Sequence, residues 1–213
     1  AARCGPAQVC GLHGLGADGN DFAPIVPELV REDWPGIRFV FPHAPVRPVT
    51  INGGMAMRAW YDIVSLEIDK RADETGIRES MAELDALIGR ERDRGIPLSR
   101  IILAGFSQGG AVVLAHALRQ SVAVAGVVGL STYLPLGQSN AEQCTAAARQ
   151  IPVFMAHGKS DPVVPLGLGE YSRDQLTALG LTVQFKTYPM QHNVCAEEIR
   201  DLGDWLSTRF SLR

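Results

Sequence analysis

Apolar side chains recur along this chain with two different periods, and their alternation outlines a fold. Over 77–95, Ile77, Met81, Leu84 and Ile88 follow one another at spacings of four, three and four. That is one stripe of an α-helix, and Arg78, Glu79, Asp85, Arg90 and Arg92 fall on its far face. Gly95, Ile96 and Pro97 end the pattern, with glycine as the C-terminal stop. A second helix is predicted over 196–210, where Ile199, Leu202, Leu206 and Phe210 line one side. A third is predicted over 21–32, ending ahead of Trp34-Pro35. Short apolar runs at 7–12, 37–41, 101–105, 124–130, 151–156 and 182–188 read as strands. Several are apolar at successive positions, as strands covered by helices on each face are. Strand alternating with helix predicts an α/β class with a mostly parallel sheet flanked by helices. No repeat, low-complexity tract or linker divides 1–213, so a single domain is expected. Segments 42–76 and 131–150 have no clean period. Both exceed ordinary connections, which makes them candidates for a lid or substrate loop.

Composition narrows the function classes. The 213 residues are 46% hydrophobic and 20% charged, with a formal net charge of -3 and the signs mixed. No concentrated basic face exists for nucleic acid or an anionic membrane. Apolar runs are interrupted well short of the ~18 residues a spanning helix needs, so no integral membrane association is expected. No segment at the start shows the order of a secretory leader. The chain begins Ala1-Ala2-Arg3-Cys4 rather than with Met, as a processed or trimmed form would. Cys4, Cys10, Cys144 and Cys195 are scattered without metal-type spacing. Reduced thiols and a cytoplasmic location are the expectation.

The candidate chemistry lies at 101–118, IILAGFSQGGAVVLAHAL. Gly105-Phe106-Ser107-Gln108-Gly109 fits G-x-S-x-G between a strand pattern and a helix pattern, the context that motif requires. A sharp strand-to-helix turn holds a serine hydroxyl out of the sheet, and glycine on both flanks removes the side chains that would clash. The amide of Gln108 then sits at a helix N-terminus, where an unpaired N–H is available to an oxyanion. On this architecture an acid and then a base follow the serine in chain order. Asp161 in HGKSDPVVP follows the run at 151–156, and His192 in YPMQHNV follows that at 182–188. Strand C-termini are where open α/β sheets gather their sites. His13, opening HGLGADG, is assigned to shaping the oxyanion hole, with the Leu15 amide as second donor. His43 and His157 are assigned structural roles and His116 a packed or solvent-facing one. Trp60, Ile63, Val64 and Leu66 form an apolar stretch outside the helix periodicity, and Tyr133, Leu134 and Val163 lie near strand ends. Trp60, Ile63, Leu66, Tyr133 and Val163 are the candidate lining of an acyl slot.

Together, HGLGADGNDF, RPVTINGG, WYDI, GFSQGGAV, HGKSDPVVP and YPMQHNV resemble the bacterial carboxylesterases of the acyl-protein thioesterase and lysophospholipase group, the small pseudomonad carboxylesterases among them. The likeness runs from about residue 9 to about residue 207. It implies an α/β-hydrolase fold without a large cap domain and a serine carboxylesterase acting on short- to medium-chain esters. Acyl-protein thioesterase and lysophospholipase activities are the alternatives within the class, and a ligand-binding module on a hydrolase frame is the alternative outside it. Carried over by motif, Ser107 resembles the nucleophile, Asp161 the acid, His192 the base, and Leu15 and Gln108 the backbone oxyanion donors. The expected partner is a small ester or thioester, a lysophospholipid or an acylated protein, with no metal, cofactor or nucleic acid; a homodimer is compatible with the resemblance. The chain departs from the pattern at Gln191, where the family usually has Gly before the histidine, at Asn193, and in MAMRA before Trp60. Relatives also tend to carry extra residues ahead of the first glycine loop, so a peripheral strand is expected to be missing.

Overall fold

The structure is a computed structural model that describes residues 6–65 and 73–211. In chain order its elements are β1 (Ala7–Leu12), α1 (Val26–Leu29), β2 (Ile37–Val40), β3 (Val46–Val49), β4 (Met55–Arg58), α2 (Glu74–Asp93), β5 (Ile101–Phe106) and α3 (Gln108–Ala117). There follow β6 (Gly126–Leu130), α4 (Ser139–Gln143), β7 (Val153–Gly158), α5 (Leu166–Ala178), β8 (Val183–Tyr188) and α6 (Ala196–Phe210). Six strands form one sheet in the order β2-β1-β5-β6-β7-β8. Every pairing in that sheet is parallel. The antiparallel pair β3–β4 stands apart from it.

Alternation along each strand divides the core. Ile101 and Leu103 of β5 face the cluster built by α2, α3 and α5, while Ile102 faces the cluster built by α1 and α6. The same division puts Cys10 and Leu12 of β1 on the first side and Ala7 and Val9 on the second. Both faces are therefore dry, which is why the strands carry apolar residues at consecutive positions. The expected stripes close these layers: Ile77, Leu84 and Ile88 of α2 on one side, and Ile199, Leu202, Leu206 and Phe210 of α6 on the other. Trp205 joins the second stripe. Burying such a side chain is worth about 1.5–3 kcal/mol. Asp73 caps α2 by accepting from the Gly76 amide at 3.0 Å. At its other end Gly95 takes φ +88, the left-handed stop expected there. Among the described residues no helix is long and apolar enough to cross a membrane. Cys10, Cys144 and Cys195 are free thiols, and burial pushes that of Cys10 up to about 12.

The helix expected over 21–32 is corrected. A short 3-10 turn at Ala23–Ile25 and the four residues of α1 stand in its place. Pro24 and Pro27 explain this, because each removes an amide donor from a continuing helix. Four elements, β3, β4, α4 and α5, had no sequence prediction. The β3–β4 pair lies inside the segment without clean period, and α5 buries Leu168, Ser172 and Leu176. That four-residue spacing is legible in retrospect, but a serine in the middle and glycines at 167 and 169 broke the apolar signal.

Glu198 is 1% exposed in the first turn of α6. It stands where a capping-box glutamate would reach back to the Cys195 amide, yet neither carboxylate oxygen reaches a partner at hydrogen-bonding geometry. Burial pushes its pKa from 4.5 up to about 8, and the Cys195 amide offsets only part of that. The folded state thus holds a proton that the unfolded chain gives up above about pH 4.5, so stability falls as pH rises from there towards 8. Glu198→Gln keeps the shape and stays neutral. It is expected to match wild type in thermal melts at about pH 5 and to exceed it increasingly up to about pH 8, by a few kcal/mol at most. Parallel melting curves for the two proteins at all pH values would remove the buried-proton account.

Candidate active site

The strand-to-helix turn after β5 carries Ser107 at φ 52 and ψ -118, a strained backbone for a residue with a side chain. The neighbours over-determine it. The Ser107 amide donates to the Leu130 carbonyl at 2.9 Å, and the Ser107 carbonyl accepts from the Thr132 hydroxyl at 2.6 Å. The flanking glycines are required by close approach: a Cβ on Gly105 would strike the backbone of Gly109, and one on Gly109 the carbonyls of Leu12 and His13. This is the steric reason for the spacing in G-x-S-x-G.

Loops at the C-terminal ends of β7 and β8 bring the other two groups in. His192 Nε2 lies 3.0 Å from Ser107 Oγ, and His192 Nδ1 lies 2.7 Å from Asp161 Oδ2. The Asp161 carboxylate is wholly shielded from solvent, whereas the imidazole keeps 16% of its surface open. Asp161 Oδ1 accepts from the amides of Val163 and Val164 at 2.8 and 2.9 Å, which fixes its orientation. His157 supports that turn from below. It is fully buried, its Nε2–H donates to the Val164 carbonyl at 2.8 Å, and burial lowers its pKa and keeps it neutral. The residues 158–161 and 191 meet tightly as well, since a Cβ on Gly158 would collide with the Gln191 carbonyl. Gln191 and Asn193 themselves are exposed, so the departure beside His192 points to solvent.

The loop after β1 lies against the serine. A Cβ on Gly14 would sit 3.5 Å from Ser107 Cβ and 3.2 Å from the Phe106 ring. Leu15 follows it, half-exposed, and Gln108 opens α3, so its N–H has no partner within the helix. His13 braces this loop. Its Nε2 accepts from the Ala44 amide at 3.0 Å, which leaves the proton on Nδ1 to donate to the Gly14 carbonyl at 2.7 Å. Burial lowers its pKa, in keeping with a neutral ring.

Of the candidate acyl-slot residues, Trp60 and Tyr133 lie in the buried body of the protein. Trp60 is 2% exposed, and its indole N–H donates to the His13 carbonyl at 2.8 Å. The Gln108 side chain ties the same segment down, accepting from the Trp60 amide and donating to the Tyr61 carbonyl, both at 2.7 Å. Tyr133 is 5% exposed, with its hydroxyl 2.7 Å from that of Tyr61. Both belong to the core cluster on the α2 and α3 side of the sheet, and Trp60 is tied to the loop after β1. Ile63 is half-buried and Val163 is exposed, while Leu66 lies outside the described residues. The bracing by Trp60 and by the Gln108 side chain had no sequence signal, because the partners lie 47 and 48 positions apart.

A parallel sheet with helices on both faces, and a serine on a strained strand-to-helix turn against a carboxylate-paired histidine, define a serine hydrolase of α/β-hydrolase fold. Comparison with known proteins gives the family: the chain belongs to the phospholipase/carboxylesterase family, whose model matches residues 6–210. It is 40% identical over 217 residues to acyl-protein thioesterase 1 of Cryptococcus neoformans, covering 94% of this chain and 91% of that one. Identity to acyl-protein thioesterase 1 of Neurospora crassa is 41% over 212 residues, covering 95% and 86%. Among solved structures it is similar to Arabidopsis thaliana SOBER1, with a TM-score of 0.91 at 29% identity over 96% of this chain and 99% of that one. Zea mays acyl-protein thioesterase 2 gives 0.85 at 30% identity over 97% and 94%.

Proposed function

We propose that this serine hydrolase cleaves carboxylic esters and thioesters of apolar acyl groups through an acyl-Ser107 intermediate. The observation that carries the reading is the continuous line from Ser107 Oγ through His192 to a shielded Asp161, at 3.0 and 2.7 Å. In the first step His192 Nε2 takes the Ser107 proton as Oγ attacks the acyl carbon. Asp161 holds the proton on His192 Nδ1 and balances the imidazolium. The amides of Leu15 and Gln108 receive the oxyanion, a contribution worth about 10²–10³ in rate per donor. His192 then protonates the departing alcohol or thiol. Water, deprotonated by the same nitrogen, releases the acid and restores Ser107.

The thioester half of this reading draws on the relatives named as acyl-protein thioesterases at 40 and 41% identity. The ester half draws on the family description. Both substrates present the same acyl carbon to the same serine. The test is a pair of series at matched acyl chains from acetyl to palmitoyl: p-nitrophenyl esters, and S-acylated cysteine peptides. Turnover in both series, with a phosphonate label on Ser107, is the expected result. Efficient cleavage of esters alone narrows the reading to a carboxylesterase, and of thioesters alone to an acyl-protein thioesterase. Absence of turnover and of labelling in folded protein defeats it and favours a ligand-binding module.

A further inference from the structure

On the α1 and α6 side of the sheet lies a cavity of about 50 Å³ with an almost wholly apolar lining. The hydrolytic scheme above does not use it. Its walls include Ile102 and Leu130 of the sheet, Leu202 of α6, Ile25 and Phe22 ahead of α1, and Phe106. The prolines that cut the helix over 21–32 down to a turn and one short helix also leave this face thinly covered.

Phe106 belongs to two places at once. It lines the cavity, with its ring centroid 5.4 Å from that of Phe22. It also packs against the His192 imidazole at 4.8 Å and against Gly14 of the oxyanion loop. One aromatic ring therefore stands between the hollow and the group that hands a proton to the leaving alcohol or thiol. That proton transfer places the leaving group beside His192. The hollow thus adjoins the leaving-group side of the reaction centre. Its apolar lining suits alkyl groups and offers nothing to a charged one.

Resting on the acyl-hydrolase reading, we propose that Phe106 sets the size limit for the apolar part of the leaving group. The cavity behind it is a leaving-group subsite that the ring keeps closed. Removing the ring opens this space to bulky apolar alcohols. Phe106 neither donates to nor accepts from the reacting atoms but packs against His192, so the proposal is read in the ratio between esters and not in absolute activity.

The test is acid release from hexanoate esters of methanol, n-butanol and 2-ethylhexanol, followed by titration for wild type, Phe106→Ala and the double variant Phe106→Ala with Ile25→Trp. The expected result is a rise of about tenfold or more in the 2-ethylhexyl-to-methyl ratio of kcat/KM for Phe106→Ala, the scale of one or two added methylene contacts. Refilling the hollow from the opposite wall through Ile25→Trp should return the ratio towards wild type. A loosened His192 loop would instead depress all three esters alike, and refilling would not restore the ratio; that pattern overturns the proposal. So does an unchanged ratio in an active Phe106→Ala enzyme, and Phe106→Leu is read by the same criterion where alanine yields no folded protein. If wild type turns over none of the esters and takes no phosphonate label, the acyl-hydrolase reading falls and this inference with it.

Discussion

Ser107→Ala is expected to lower kcat for ester hydrolysis by about 10⁶, to the level left by binding and oxyanion contacts alone. Among the described residues, the two hydroxyls next to the turn that holds Ser107 are not placed to take over. The Thr132 hydroxyl is committed to the Ser107 carbonyl at 2.6 Å, and Ser131 is completely buried. The fold should survive, since the turn is held by the Leu130 carbonyl, Thr132 and the flanking glycines rather than by the Ser107 hydroxyl. Single-turnover kinetics and a thermal melt on the same preparation give both readings. Residual turnover above about 1% in a folded variant would move the nucleophile elsewhere, because loss of a covalent path cannot leave so much.

Asp161→Asn is expected to cost about 10⁴ in kcat, or roughly 5.5 kcal/mol of transition-state stabilisation. Asparagine can still accept from the Val163 and Val164 amides, so the turn persists. Its amide nitrogen, however, would face His192 Nδ1 where a carboxylate oxygen now lies at 2.7 Å. A donor there forces the proton onto Nε2, which then cannot take one from Ser107. The imidazolium would also lose its counter-charge in a shielded setting. Measured across about pH 6–9, the loss should be large throughout. A loss below about tenfold would show that the carboxylate is dispensable for orienting His192.

Most of the sheet was legible because a strand covered on both faces writes its burial into consecutive residues. The runs at 101–105, 151–156 and 182–188 match β5, β7 and β8 to within two residues at either end. Helices α2 and α6 were legible for the complementary reason: one wet face imposes a period on the other. The 21–32 expectation failed where prolines compete with an otherwise suitable composition, and α5 was missed where a buried serine stands in the stripe. Ser172 is satisfied by the Leu168 carbonyl at 2.7 Å, a local partner that lets a hydroxyl occupy a core position.

The chain order of Ser107, Asp161 and His192, the glycines around the serine and the strand–helix alternation are determined by the sequence itself, since each depends on neighbours within a few positions. Tertiary structure alone decides how those parts are held. It places Trp60 under the His13 carbonyl and the Gln108 side chain, 47 and 48 positions away in sequence. It shuts Glu198 away with neither carboxylate oxygen at hydrogen-bonding geometry, and it sets Phe106 between His192 and an apolar hollow. The physical reason is the same in all three cases. Burial and hydrogen bonding between distant segments carry no periodicity along the chain, so they become visible only when the layers have packed.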